Sequence, residues 1–215
     1  MPNNQYFDVR EPGVQWRMNK TLFELLEAVG KPYRDVTVVC IGTDRSTGDS
    51  FGPLVGHMLS HVTFVPFQLR GTLEKPVHAL SLPETMEGID TENSLVLAVD
   101  AGVGDARMVG HVAVSDVPVR PGSGLGKELP RVGDISITGI VAMGGIAPFL
   151  MLQNAPLGMV YEMAEKTFFA VQYALCGLAA QRCAACGQKT GFGLQEAHKN
   201  IFTRGRPISY TGRNG

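Results

Sequence analysis

Two runs of the chain limit its fold more than any other feature. Val36-Thr37-Val38-Val39-Cys40-Ile41 and Ser94-Leu95-Val96-Leu97-Ala98-Val99 are almost wholly apolar and rich in β-branched residues. A strand with one wet face alternates polar and apolar residues. A strand with an unbroken apolar run is covered on both faces, as in parallel sheets flanked by helices. Helical patterns separate the strand-like segments, so the expected class is α/β: a three-layer αβα sandwich on a mixed, mostly parallel sheet. The 215 residues, 44% hydrophobic and 18% charged, are enough for one domain with a sizeable core.

The remaining elements follow from periodicity and punctuation. Residues 1–17, with Pro2, Pro12 and Gly13, read as a flexible N-terminal arm, with the possibility of a removable propeptide. A helix is predicted from Asn19 to Val29, capped by Asn19 and stopped by Gly30. A second is predicted from Ser50 to Ser60, with Pro53 in its first turn, where a missing N–H is harmless. Further strands are expected at 62–65, 111–114 and 135–141, a short helix within 71–88, and a long helix over 158–181. The αβα domain is bounded at 18–182, and 183–215 reads as a tail bearing a Cys-x-x-Cys.

In open α/β sheets ligands bind beyond the carboxyl ends of the strands. That rule singles out the loops after Ile41 and Val99. The first, Gly42 to Pro53, is rich in glycine and hydroxyls and runs into a helix start. It lacks the Gly-Lys-Ser/Thr ending of a P-loop, and Asp44 and Asp49 repel anions, so phosphate binding is disfavoured. Asp49 and Ser50 also suit plain helix capping. The second loop opens with Asp100, which ends a buried strand, where an ionised carboxylate is costly. Its ordinary use there is hydrogen bonding to loop backbone. If the two strands are neighbours, Asp49 and Asp100 face one cleft. Two close carboxyls share a proton and supply an acid and a base together. Asp49, near a helix N-terminus, is expected to be the more acidic, and Asp100 the more readily protonated. With a third ligand such a pair can instead hold a metal.

Thr43-Asp44-Arg45-Ser46-Thr47-Gly48-Asp49-Ser50-Phe51-Gly52-Pro53-Leu54-Val55-Gly56 resembles the signature of the YyaC family of sporulation proteins. Gly71-Thr72-Leu73, Pro76 to Leu80 and Val119 to Leu129 extend the resemblance, which covers about residues 30–180. That family is similar to the germination protease of spore-formers and, more distantly, to hydrogenase maturation peptidases. The resemblance implies a phosphorylase/hydrolase-like αβα sandwich. It also implies a sporulation-associated peptidase in which Asp49 and Asp100 are catalytic. Thr43, Ser46, Ser123, Gly124 and Lys127 would bind a peptide or protein substrate. The loop from Arg120 to Leu129 has no histidine to complete a metal site, and His111 lies on another element, so the resemblance favours a metal-free pair with no cofactor. The different-class alternative is a non-catalytic binding or regulatory protein that keeps the pocket. A metal-recognising maturation peptidase is the third reading.

Other features are weaker. Lys+Arg 19 against Asp+Glu 20 gives no basic surplus, which argues against nucleic acid and membrane-surface binding. No apolar run reaches the roughly 18 residues of a membrane span, and the polar N-terminus lacks a signal-peptide core. A cytoplasmic setting, in the sporulating cell or forespore, is therefore expected. Cys183 and Cys186 with Cys176 and His198 could hold zinc, but a small-residue helix end explains a lone Cys-x-x-Cys as well. Cys40 reads as core. His57 and His61 share a helix face without the glutamate of a zincin. No Gly-x-Ser-x-Gly elbow is present. Homo-oligomerisation is left open.

Overall fold

The two apolar runs become neighbouring parallel strands. β2 (Asp35–Cys40) pairs with β4 (Ser94–Gly104) in a register that sets Val36 beside Leu95 and Cys40 beside Val99. The computed structural model describes residues 4–122, 129–145 and 147–185. Around the central pair lie β1 (Gln5–Asp8), β3 (Gln68–Arg70), β5 (His111–Ser115) and β6 (Ile135–Met143). The six strands are ordered β1-β5-β6-β4-β2-β3. β6-β4-β2-β3 run parallel, whereas β5 is antiparallel to β6 and β1 to β5. The sheet is thus mixed and mostly parallel, with helices packed on it in an α/β three-layer arrangement.

The reason for the unbroken apolar runs is visible in the packing. Successive strand residues face opposite sides. Val36, Val38 and Cys40 of β2, with Leu95, Leu97 and Val99 of β4, face a large core. That core is closed by α1 (Val14–Glu27), α2 (Phe51–Leu59) and the 29-residue α5 (Leu157–Ala185) through Leu22, Phe51, Val55, Met163 and Leu175. Val39, Val96 and Ala98 point the other way. They meet a smaller cluster with Leu82 of the short α3 (Leu82–Glu87), Val77 and Val132. A short helix, α4 (Pro148–Gln153), follows β6 and buries Leu152 in the larger core. Among the described residues no helix is long and apolar enough to cross a membrane.

Several expected boundaries move. Residues 5–17 do not form a loose arm. Gln5–Asp8 is the edge strand β1, and α1 starts at Val14 after Gly13, which turns the chain at φ 75°. Phe7, Val9 and Val14 anchor this segment in the core. Asn19 is therefore no cap. It is buried within α1 and accepts a 2.8 Å hydrogen bond from Gln15 Nε2, which also donates to the Lys166 carbonyl. The strand expected at 62–65 is absent, and the pairing beside β2 is made by Gln68–Arg70 instead. Cys183 belongs to α5, not to a tail.

Candidate active site

The adjacency of β2 and β4 brings both sequence-selected loops to one rim. After β2 the chain folds back tightly on the strand tip. A Cβ on Gly42 would lie 2.1 Å from the Asp49 carbonyl oxygen, and Gly42 sits at φ 138°, so glycine is required twice over. A Cβ on Gly52 would lie 2.1 Å from the Ile41 carbonyl oxygen. These two close approaches seat a single 3-10 turn, Gly48–Ser50, directly ahead of α2. Asp49 is its central residue, half-buried at the positive end of the α2 dipole, where an anion is favoured.

Asp100 is held differently. It lies inside β4, not beyond it, and stands in register with Thr138 of β6. Only 6% of it is exposed, and Oδ1 accepts a 2.9 Å hydrogen bond from the Ala101 N–H. Burial pushes its pKa up to about 8, and the nearby charge of Asp49 adds to the rise, while the Ala101 hydrogen bond opposes it. Asp100 is thus mostly protonated at neutral pH.

Asp49 and Asp100 line one open cavity of about 270 Å³, with Val119, Arg120, Thr138 and Leu152 among its walls. Strand residues of β4 and β6 make one side, the segment after β5 makes the other, and α4 contributes Leu152. Among the described residues no group of three or more His, Cys, Asp or Glu could hold a metal ion.

The other sequence-selected residues divide. Thr43 does not line the cavity. Its N–H donates to the Asp49 carbonyl at 3.2 Å, and its Oγ1 accepts from the Arg45 N–H at 3.3 Å, so it braces the loop that presents Asp49. Ser46 is also outside the cavity. It is buried, its carbonyl accepts the Ser50 N–H, and its Oγ has no hydrogen-bond partner. Ser123, Gly124 and Lys127 lie outside the described residues, as do Cys186 and His198. His57 of α2 and His61, in the turn just after it, pack edge to face with ring centres 5.0 Å apart. His111 faces Ile140 and Asp8 across the antiparallel strands and does not reach the cavity. Cys40 is buried and its thiol is pushed up by desolvation, as expected of a core residue.

Two polar lining residues went unselected. Thr138 is the half-buried polar residue in Ile135-Ser136-Ile137-Thr138-Gly139-Ile140, where alternation placed it on the face of Ser136 but not opposite Asp100. Arg120 opens the Pro-Gly loop and is exposed at the cavity wall. Only the register of β4 on β6 and the path of the segment after β5 reveal them.

Residues 6–169 match the family model described as "Protein of unknown function (DUF1256)". This chain belongs to that family. It is also 46% identical over 143 residues to the uncharacterized protein YyaC of Bacillus subtilis (strain 168), across 66% of this chain and 68% of that protein. The matched range contains both aspartates, every strand from β2 to β6, and most of β1, so the whole frame of the cavity lies within it.

Proposed function

We propose that this cavity hydrolyses an amide bond in a peptide or protein, with Asp49 and Asp100 as its acid–base pair. The observation that carries the reading is a buried carboxyl, its pKa raised by desolvation, beside a second carboxyl in the same open cavity. Asp49, half-buried at a helix start, is placed to act as base. Asp100, dry and protonated, is suited to act as acid. The protonation order is the one that divides the two roles in paired carboxyl sites.

In this mechanism Asp49 removes a proton from water as its oxygen adds to the substrate carbonyl carbon. The carbonyl π pair moves to oxygen. When the tetrahedral adduct collapses, the C–N bond breaks and the Asp100 proton goes to the departing nitrogen. One water is consumed, and an acid and an amine result. An extended polypeptide also suits the surroundings. Phe149 and Leu150 are exposed on α4, the helix that supplies Leu152, and Leu157 and Tyr161 are exposed at the start of α5. No charged residue occurs between Asp134 and Glu162. The resemblance to sporulation proteins supports small basic spore proteins as first substrates and the cytoplasm of the sporulating cell as the setting.

The test is incubation of the purified chain with small basic spore proteins, with itself, and with a pool of mixed-sequence peptides, read by mass spectrometry. Asp49→Asn and Asp100→Asn proteins are run alongside. Cleavage that disappears in both variants is expected. Cleavage that survives in both ends the aspartate mechanism, and peptide binding without any cleavage favours a non-catalytic binding role.

A further inference from the structure

Thr138 is in register with Asp100 across parallel strands, whose spacing is about 4.8 Å, and the two line the same cavity. As a β-branched residue it has few χ1 choices, and here one substituent is already placed. A Cβ built on Gly102 would lie 2.8 Å from Thr138 Cγ2, so the methyl occupies the space that Gly102 leaves empty. Gly102 has no positive φ, so glycine serves there to make room and not to turn the chain. With Cγ2 seated against β4, Oγ1 takes another staggered position of the same half-buried side chain. Among the described residues no hydrogen bond engages that hydroxyl.

The hydrolysis proposed above creates negative charge on the substrate carbonyl oxygen. A site of this kind needs a donor fixed in advance where that charge appears. Asp49 is occupied with the proton it takes from water, and the Asp100 proton is reserved for the leaving nitrogen. The remaining side-chain donors among the described lining residues are the Arg120 guanidinium, exposed on the loop wall, and the Thr138 hydroxyl, fixed on the sheet beside Asp100.

We infer that Thr138 Oγ1 donates the hydrogen bond that holds the substrate carbonyl oxygen during water addition, and that Gly102 is the positioning residue that turns this hydroxyl into the cavity. The inference rests on the hydrolytic reading. The hydroxyl keeps its proton throughout: it stabilises the oxyanion as the carbonyl π pair moves onto oxygen and releases it when the C=O bond re-forms.

The experiment compares Thr138→Val, Thr138→Ser and Gly102→Ala with the unsubstituted chain on the peptide cut fastest from the mixed-sequence pool, with thermal melting of each protein as a check on folding. Loss of one fixed oxyanion donor lowers kcat by about 10²-fold. That loss is expected for Thr138→Val, with KM changed by less than about threefold, because the hydrogen bond matters most in the transition state. Thr138→Ser restores most of the rate. Gly102→Ala lowers kcat while the basic limb of the pH profile stays in place.

Wild-type rates in Thr138→Val, with cleavage still abolished by Asp49→Asn and Asp100→Asn, overturn the donor assignment and leave the hydrolytic reading intact. A Thr138→Val effect that moves the basic limb without lowering the maximal rate places the hydroxyl on Asp100 and also overturns it. Absence of any aspartate-dependent cleavage by the unsubstituted chain removes both proposals. Should Thr138→Val fail to fold, a Thr138→Ser rate near wild type together with a slowed Gly102→Ala sustains the assignment, and any other combination overturns it.

Discussion

The sheet carries a cavity toward each end, one with Asp134 just ahead of a strand and the other with Asp100 inside one. At the amino end of β6, Asp134 helps to line a space of about 380 Å³ with Leu25, Val29, Asp116 and Pro118. Its Oδ2 receives the Lys31 ammonium at 2.6 Å and the Val96 N–H at 2.8 Å. In the carboxyl-terminal half of β4, Asp100 receives one backbone N–H, and the charge that bears on it is another carboxylate. The first carboxylate is neutralised where it stands and ties the segment after α1 and the segment before β6 to the sheet. The second is left in a state that burial makes costly to ionise. An acid whose interactions are completed serves the fold. An acid left electrostatically unfinished at an opening is a candidate for chemistry, and that contrast separates two cavities of similar size.

The widest gap between the two ends is expected in catalysis. Asp100→Asn and Asp49→Asn each lower peptide hydrolysis by about 10³-fold, in the range for loss of a general acid or base, whereas Asp134→Asn leaves the rate unchanged in the same assay. Equal rate losses at both ends would break the comparison. Stability should respond in the opposite sense. The Asp100 pKa is raised from 3.8 to about 8, so the folded state holds a proton that the unfolded chain releases. That carboxyl therefore costs nothing below about pH 4, costs progressively more as pH rises to about 8, and is level beyond it. Asp100→Asn removes the cost, so its advantage in denaturant melts should grow from near zero at pH 4 to an upper bound on the order of 5 kcal/mol at pH 8.5. An advantage that shrinks with rising pH contradicts the assignment. The basic limb of the hydrolysis profile should fall through the same region as Asp100 loses its proton.

A smaller effect tests how Asp49 is presented. Gly52→Ala forces a methyl onto the Ile41 carbonyl, so a loss of about 3 kcal/mol in chemical denaturation is expected, with the rate falling in the protein that remains folded. Smallest is the cost of Asp134→Asn itself. The pair it breaks is about a quarter exposed on each side, so a loss of about 1 kcal/mol is expected, and it should be largely screened by molar salt.

The same contrast explains what could be read in the sequence. β2 and β4 were legible because burial on both faces leaves only apolar letters, and the rule for carboxyl ends then led to Asp49 and Asp100. β1 and β3 were not. Gln5-Tyr6-Phe7-Asp8 and Gln68-Leu69-Arg70 are short edge strands whose polar side chains meet water, and such segments resemble loops. Asn19 misled because a buried polar residue satisfied by Gln15 has the same letter as a cap. Thr43 and Ser46 were placed in the binding wall because they share a loop with Asp49, yet a loop that folds back on its own strand spends their polar groups or buries them. Thr138 and Arg120 depend on pairing and loop path across distant segments, which no local pattern encodes.

Asp100 is part of a ladder, not of a connection. Its backbone is fixed by β6 on one side, and the preceding residue, Val99, pairs with β2 on the other. Val119 and Arg120, which close the cavity from the opposite side, lie on the connecting segment between β5 and β6. On the hydrolytic proposal, the chemical half of the pocket is therefore built into the sheet, the part of a fold least free to change, and the half that would meet the rest of a bound chain is built into a connection, the part most free to vary. A lineage with this architecture can acquire new targets by editing one connection while its acid stays where the sheet holds it.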